Sequence, residues 1–456
     1  MYLQQMRLKD IACFEDVTLD FTRPGTDQAC SWVVLLGENG TGKSTILKML
    51  GLALLGRELV LEVVADMQWE QLVRSSAKCG RVEATIVRST SDRKPRSERT
   101  RASKQYRLAF DLGRTIKTRL REVRDETFDF AALDATLYAE TLTGGWFACG
   151  YGSWRKLPAL REPHQSSLTQ ARRSSKPYRF VTLFQPDAAL TRVVDWLVEL
   201  EFQRLKEQEE QLPPERQVAV RYLDLAKQAL AQVLYGATFK EITRDREVIF
   251  EEHGIAIPID RLSDGYQSVT VLIIDLLRRL VEAFPDNNHP LSAKGVVLID
   301  EIDIHLHPKW QRSIVEQIRG LFPNLQFIIT SHSPFIAQDM RPEDKIIVLK
   351  KHNGNVTVHE DAGFVTSWRV DQILTSSLFD MNTTRNVHIA AAEQEYQHLL
   401  DLRASGTFTS ENKQRLSDLK QWLDEHRSAP GETADENELY NAAQSLLDIL
   451  DDYTSH

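Results

Sequence analysis

Eight consecutive residues, Gly37-Glu38-Asn39-Gly40-Thr41-Gly42-Lys43-Ser44, keep the spacing G-x-x-x-x-G-K-[ST]. Glycines at these places let the backbone wrap tightly, so that successive N–H groups point at one anion. A helix expected from Lys43 to about Leu55 directs its positive end at the same point. Lys43 then reaches the β- and γ-phosphates of a nucleoside triphosphate, and the Ser44 hydroxyl ligates Mg²⁺. The loop therefore implies ATP held from Gly37 through Thr45, with Mg²⁺ as the accompanying ion.

Three further groups complete such a chemistry. Residues 295–299, Gly-Val-Val-Leu-Ile, form an apolar run that ends in Asp300-Glu301. An acid at the end of a buried strand can hold Mg²⁺, here Asp300 beside Ser44, and the adjacent Glu301 can polarise an attacking water. Two carboxylates there could also cap a helix, but the phosphate loop upstream favours the metal reading. His332, in Thr330-Ser331-His332-Ser333-Pro334, follows the next apolar strand and can hydrogen-bond a γ-phosphate. Ser263 and Gly265, in Leu262-Ser263-Asp264-Gly265-Tyr266-Gln267-Ser268, open another helix and make a second anion-binding terminus, with Gln267 beside them.

These residues need strands that end together. Val17, Leu19 and Phe21 alternate with polar residues, and Trp32 to Leu36 is a buried run. Residues 81–88 and 105–112 alternate as strands on either side of a basic loop. Helices are expected over 187–211 and 215–235, broken by Pro213-Pro214, and then over 264–283 and 310–322. Short strands are expected at 239–243 and 247–250, and an apolar one at 326–330. Residues 127–170 give no clear period. The last 90 residues show helical spacing only, at 387–402, 412–423 and 438–450. Apolar strands alternating with helices specify an α/β fold around a parallel sheet.

Composition narrows the setting. The chain is 42% hydrophobic and 27% charged, with no run of 18 apolar residues, so a membrane-spanning helix is not expected. The opening residues lack the apolar core of a signal peptide, and the four cysteines form no CxxC pair; both fit a cytoplasmic protein. The net charge of −9 is unevenly spread: residues 88–124 carry thirteen Lys/Arg against four Asp/Glu, and residues 155–179 carry seven against one. These stretches read either as a patch for the phosphates of nucleic acid or as solvated loops. From Asp401 onward the balance reverses, with five basic residues against twelve acidic.

The order phosphate loop, Ser263-containing motif, Asp300-Glu301 and His332 resembles that of ABC-type ATPases, whose signature is written LSGGQ; Asp264 and Tyr266 depart from that form. The string Asp300-Glu301-Ile302-Asp303-Ile304-His305-Leu306-His307-Pro308 is similar to the soluble branch holding RecF, SMC, Rad50 and overcoming-lysogenization-defect ATPases. About 170 residues separate the halves of this head, without the long heptads of SMC and Rad50. Gly150-Tyr151-Gly152-Ser153-Trp154-Arg155 and Thr182-Leu183-Phe184-Gln185-Pro186-Asp187 resemble the PtuA ATPases of Septu and some retron anti-phage systems.

That resemblance implies an ABC-type P-loop ATPase head with an inserted basic and helical region and a helical C-terminal appendage. The expected divisions are 1–90 and 261–360 for the two lobes of the head, 91–260 for the insert and 361–456 for the acidic appendage. It implies a head-to-tail homodimer or larger homo-oligomer in which Ser263 and Gly265 of one copy cap ATP on the other. Arg155 and Gln185 are expected to link the insert to the site, with Gln185 joining Ser44 and Asp300 at the metal. The implied partner is a separate HNH nuclease, since no nuclease motif stands in this chain. The alternative is a RecF-like repair or recombination ATPase that binds DNA directly.

Overall fold

The computed structural model describes residues 1–55, 71–87, 105–113, 121–122, 147–155, 157, 176–185, 190, 192–285, 287–352, 354–361, 365, 367–381, 383–405 and 409–426. Most of the two basic stretches and the helix expected at 438–450 lie outside the described residues.

Six strands make the sheet that carries the site. Their order is β14 (Asn355–Asp361), β13 (Lys345–His352), β3 (Trp32–Gly37), β12 (Leu325–Thr330), β11 (Gly295–Ile299) and β7 (Phe147–Tyr151). All run parallel except the edge strand β14. The parallel arrangement brings the C-terminal ends of β3, β11 and β12 to one edge, where ligands bind in open α/β sheets. Residues following these three strands are the ones singled out for chemistry.

The apolar runs of β3, β11 and β12 follow from burial on both faces. Trp32, Val34 and Leu36 of β3 join one hydrophobic cluster, whereas Val33 and Leu35 join the other. Trp32 stacks on Phe327 with ring centroids 4.3 Å apart, a contact that adds about 0.5–1.5 kcal/mol to their burial. The first cluster is covered by α3 (Arg192–Glu209), α4 (Val218–Val233) and the long α5 (Asp264–Ala283). The second is closed by α1 (Lys43–Leu55) and by an antiparallel sheet in the order β2-β1-β4-β5-β6. Its strands are β1 (Tyr2–Ile11), β2 (Phe14–Asp20), β4 (Cys79–Val87), β5 (Gln105–Gly113) and β6 (Arg121–Glu122).

A buried amide couples these two sheets. Gln326 on β12 accepts from the Leu3 N–H at 2.7 Å and donates to the carbonyls of Leu3 and Cys30 at 2.9 and 3.1 Å. A glutamine so placed is tolerated only because its hydrogen bonds are made. A third, small sheet holds β8 (Ala237–Ile242), β9 (Val248–Glu252) and β10 (Ile255–Pro258).

Two elements differ from the sequence-based expectation. The helix expected over 310–322 is two pieces, α6 (Pro308–Gln311) and α7 (Ile314–Leu321). Ser313 breaks it: its φ is −142°, and its hydroxyl turns back to the Trp310 carbonyl. β7 arises in the stretch without clear period. Tertiary pairing with β11 makes it a strand, and a Cβ on Gly295 would lie 2.4 Å from the Phe147 carbonyl oxygen.

The chain divides into two compact units, Met1–Phe379 and Asp380–His456. The described part of the second is a pair of helices, α10 (Val387–Ala404) and α11 (Ser410–His426), that buries Leu399, Leu419 and Leu423. No helix among the described residues is long and apolar enough to cross a membrane.

Candidate active site

The phosphate loop leaves β3 through Gly37, at φ +152°, and turns through Gly40 and Gly42, at φ +78° and +87°. Crowding explains two of these glycines. A Cβ at Gly37 would lie 2.6 Å from the Leu349 carbonyl oxygen, and one at Gly42 would lie 2.6 Å from the Phe14 ring and 2.7 Å from the Cys13 sulfur. At Gly40 a Cβ would meet nothing within 4 Å, so the loop's mouth is open there. Thr41 fastens the turn by donating from Oγ1 to the Glu38 carbonyl at 2.8 Å. Glu38 and Asn39 are exposed, and Ser44 and Thr45 are half-buried in the first turn of α1.

Lys43 is buried, and its ammonium donates to the carbonyls of Gly37 at 2.7 Å and Glu38 at 2.9 Å. Burial brings its pKa down to about 8, against the pull of Asp300, Glu301 and Asp303. An ammonium held this way gains when an anion arrives. The loop thus fits a phosphate group.

Asp300 and Glu301 are aimed by one hydroxyl. Thr330 Oγ1 donates to Asp300 Oδ1 at 2.6 Å and accepts the Glu301 N–H at 2.7 Å. Glu301 sits at φ +48°, a left-handed conformation of the kind that concentrates at functional sites. Burial raises its carboxyl pKa above the ordinary value, and the like charges of Asp300 and Asp303 raise it further. His332 is half-buried at the end of β12. Burial lowers its pKa, as does the Lys43 ammonium, which keeps the imidazole neutral. The Lys43 ammonium feels the charges of Asp300 and Glu301, and His332 feels those of Lys43 and Asp300.

Among the described residues no group of three or more His, Cys, Asp or Glu side chains could hold a metal unaided. Mg²⁺ binds through one or two protein groups and takes its other ligands from phosphate and water. Ser44 offers a hydroxyl in the first turn of α1, and Asp300 a carboxylate just after β11, which is the donor chemistry such an ion takes. Gln185 ends α2 (Val181–Phe184), a helix packed on α1: a Cβ at Gly51 would touch Leu183 and Phe184 at 3.1 Å.

Arg155 ties this edge to the helix that begins at Ser263. It is 4% exposed, and burial lowers its pKa to about 10 despite the three nearby acids. Its guanidinium donates to the carbonyls of Gly152 at 3.0 Å, Asp300 at 2.8 Å and Glu301 at 2.9 Å, and to Ser268 Oγ on α5 at 3.1 Å. Its link to the site was expected from sequence. Thr330 was not, although it stands two residues before His332.

The Ser263 motif lies elsewhere. Ser263 caps α5, its Oγ accepting from the Tyr266 N–H. Gln267 uses its amide to hold the approach to the helix, donating to the carbonyls of Asp260 at 3.0 Å and Leu262 at 2.8 Å. Ser263 and Gly265 line a separate cleft with His305, His307 and Lys309, and a Cβ at Gly265 would lie 2.7 Å from the His305 carbonyl oxygen.

Known families and proteins resemble parts of this chain. Residues 150–338 match the family described as AAA domain, putative AbiEii toxin, Type IV TA system, and residues 5–130 match a second AAA domain family. The Septu protein PtuA of Bacillus mycoides is 25% identical over 84% of this chain and 45% of its own length. The Retron Vc95 probable ATPase of Vibrio cholerae is 44% identical over 21% of this chain and 19% of its own length. The chain thus spans less than half the length of these relatives. The SMC head domain from Thermotoga maritima aligns with a TM-score of 0.42 at 12% identity, over 79% of this chain and 99% of that one. The chain is thus similar to two AAA domain families, and to the Septu protein PtuA and the retron probable ATPases.

Proposed function

We propose that this chain binds and hydrolyses ATP as the ATPase subunit of an anti-phage defence complex, and that ATP-dependent pairing of two heads regulates or scaffolds a separate HNH nuclease. One observation carries this reading. Lys43, Asp300, Glu301 and His332 converge at one sheet edge, whereas Ser263 and Gly265 open onto another surface of the same head. Each head then holds two complementary half-sites, and a head-to-tail pair completes both. The likeness to PtuA and to retron ATPases supports the defence setting.

ATP would lie on Gly37–Thr45, with Lys43 exchanging its carbonyl partners for the β- and γ-phosphates. Mg²⁺, held by Ser44 and Asp300 with Gln185 beside them, would supply charge neutralisation of the phosphates. Glu301, its carboxyl raised above the ordinary value by burial, is suited to take the proton of an attacking water. His332, kept neutral, would donate one hydrogen bond to the γ-phosphate and lose it after cleavage. Arg155 would carry that change from the Glu301 turn to α5.

Glu301→Gln tests the reading. Turnover should fall by about 10²–10⁴-fold, the usual contribution of a general base, while ATP holds the protein in a dimer visible by light scattering. Hydrolysis at the wild-type rate would remove Glu301 as the base. Co-purification with an HNH nuclease, lost when residues 373–456 are deleted, tests the partner. Tight, salt-sensitive DNA binding without such a partner would move the function to DNA repair.

A further inference from the structure

The segment from Asp300 to Leu306 carries the acids of the site, and it is pinned twice to the strand end that carries His332. The near pin is Thr330. Its hydroxyl serves Asp300 and Glu301, and its carbonyl accepts the Ile302 N–H at 3.1 Å. The far pin is the half-buried side chain of Gln311, at the end of α6. Its Nε2 donates to the Leu306 carbonyl at 2.8 Å and to the Asp303 carbonyl at 3.4 Å. Its Oε1 accepts from Ser333 Oγ at 2.7 Å. One amide therefore joins the acid-bearing turn to the residue that follows His332.

The two ends of this bridge differ in firmness. Ser333 is buried, its Oγ accepts the Phe335 N–H at 3.1 Å, and its own N–H donates to Ser331 Oγ at 2.9 Å. With those bonds made, its hydroxyl proton goes to Gln311. The turn has less to hold it from within. Glu301 and His305 both stand in left-handed backbone, at φ +48° and +62°, conformations that persist where the surroundings enforce them. Asp303 Oδ1 is buried without a hydrogen-bond partner among the described residues, so this carboxylate oxygen does not fasten the turn it sits on. Gln311 supplies the fastening from outside.

We infer that Gln311 is a positioning residue for ATP hydrolysis, a strut that keeps the turn bearing Glu301 in register with His332 through Leu306 and Ser333. The inference rests on the hydrolytic reading proposed above and adds to it the group that sets the geometry. A base and a γ-phosphate ligand carried on separate strand ends act together only at a fixed spacing, and a shift of about 1 Å can cost about a hundredfold in rate. The amide of Gln311 is spent on protein partners, so it acts through the backbone rather than on the nucleotide. The phosphate loop is braced separately, by Thr41 and Lys43, and holds its shape without Gln311.

A double-mutant cycle in the full-length chain tests the strut. Gln311→Met keeps the length and removes both ends of the bridge, whereas Ser333→Ala removes one. Gln311→Met should lower ATP turnover by about 10–100-fold, with ATP affinity in a fluorescent-nucleotide titration within about twofold of wild type. Ser333→Ala should slow the wild type by a larger factor than it slows Gln311→Met, because the bond it breaks is already gone there. Gln311→Glu, which keeps the Ser333 bond and loses the donors to Leu306 and Asp303, gives a second reading of the same loss should the methionine variant not fold. Wild-type turnover in the Gln311 variants would overturn the inference and leave the hydrolytic reading standing. So would a fall in ATP affinity that matches the fall in turnover, or an equal cost of Ser333→Ala in both backgrounds. A wild-type chain that binds ATP without turning it over would overturn the hydrolytic reading and the inference together.

Discussion

Two helix starts carry the residues proposed to meet an anion, and they are finished to different degrees. At α1 the loop is packed from behind by Phe14, Cys13 and Leu349, and Lys43 is buried with its donors engaged. At α5 Ser263 is exposed, and the cleft beside it is open. The same device is a prebuilt pocket in one place and, in the proposed pairing, half of an interface in the other. The cost of ordering the first is met on folding, and that of the second would be met only when the proposed partner arrives.

Replacing the buried cation should test the contrast hardest. Lys43→Ala removes a charged hydrogen bond worth about 1.5–3 kcal/mol, so ATP should bind about 10–150-fold more weakly in a fluorescent-nucleotide titration. The α5 side should be unaffected, and this variant should still cap ATP on a normal partner.

A smaller effect should come from pH. The Lys43 pKa, lowered to about 8 by burial, should rise again when a phosphate pairs with it. Above pH 8 the free protein has lost that proton and must take it up on binding. From pH 7 to pH 9 the affinity for ATP should therefore fall by about tenfold, and calorimetry in buffers of different ionisation enthalpy should record proton uptake at pH 9. Binding without proton uptake would mean that the ammonium is not desolvated.

The mildest change is Gln267→Ala. Its amide holds the approach to α5 rather than the nucleotide pocket. Loss of about 1 kcal/mol of backbone hydrogen bonding should weaken ATP-driven pairing about fivefold, with nucleotide affinity of a single head unchanged. A loss of nucleotide affinity equal to that of Lys43→Ala would erase the distinction between the two helix starts.

The two regions were also unequally legible in the sequence. The phosphate loop is local: eight neighbouring residues specify the turn, the helix start and the ligand. The apolar runs of β3, β11 and β12 announced a parallel sheet because burial on both faces forbids alternation. β7 stayed hidden because Phe147–Tyr151 includes Cys149 and Gly150, small residues required by packing; a Cβ at Gly150 would come within 2.8 Å of Leu183. Gln267 was expected at the nucleotide on motif grounds, yet its partners are backbone carbonyls that no motif displays. Thr330 was equally invisible, since a threonine ending a strand is common and its value lies in being opposite Asp300.

The place of β3 in the central sheet has a consequence for biosynthesis. Its two neighbours, β12 and β13, both come from beyond residue 320, so Trp32 waits some three hundred residues for Phe327. At about 5–20 residues per second that interval is roughly 15–60 s. For that time an apolar strand with two unpaired edges is attached to the ribosome with only the N-terminal lobe to shelter it. The nascent chain is then most exposed to chaperone capture and to aggregation, and slowing translation between residues 40 and 325 should lower the yield of active protein more than slowing it afterwards.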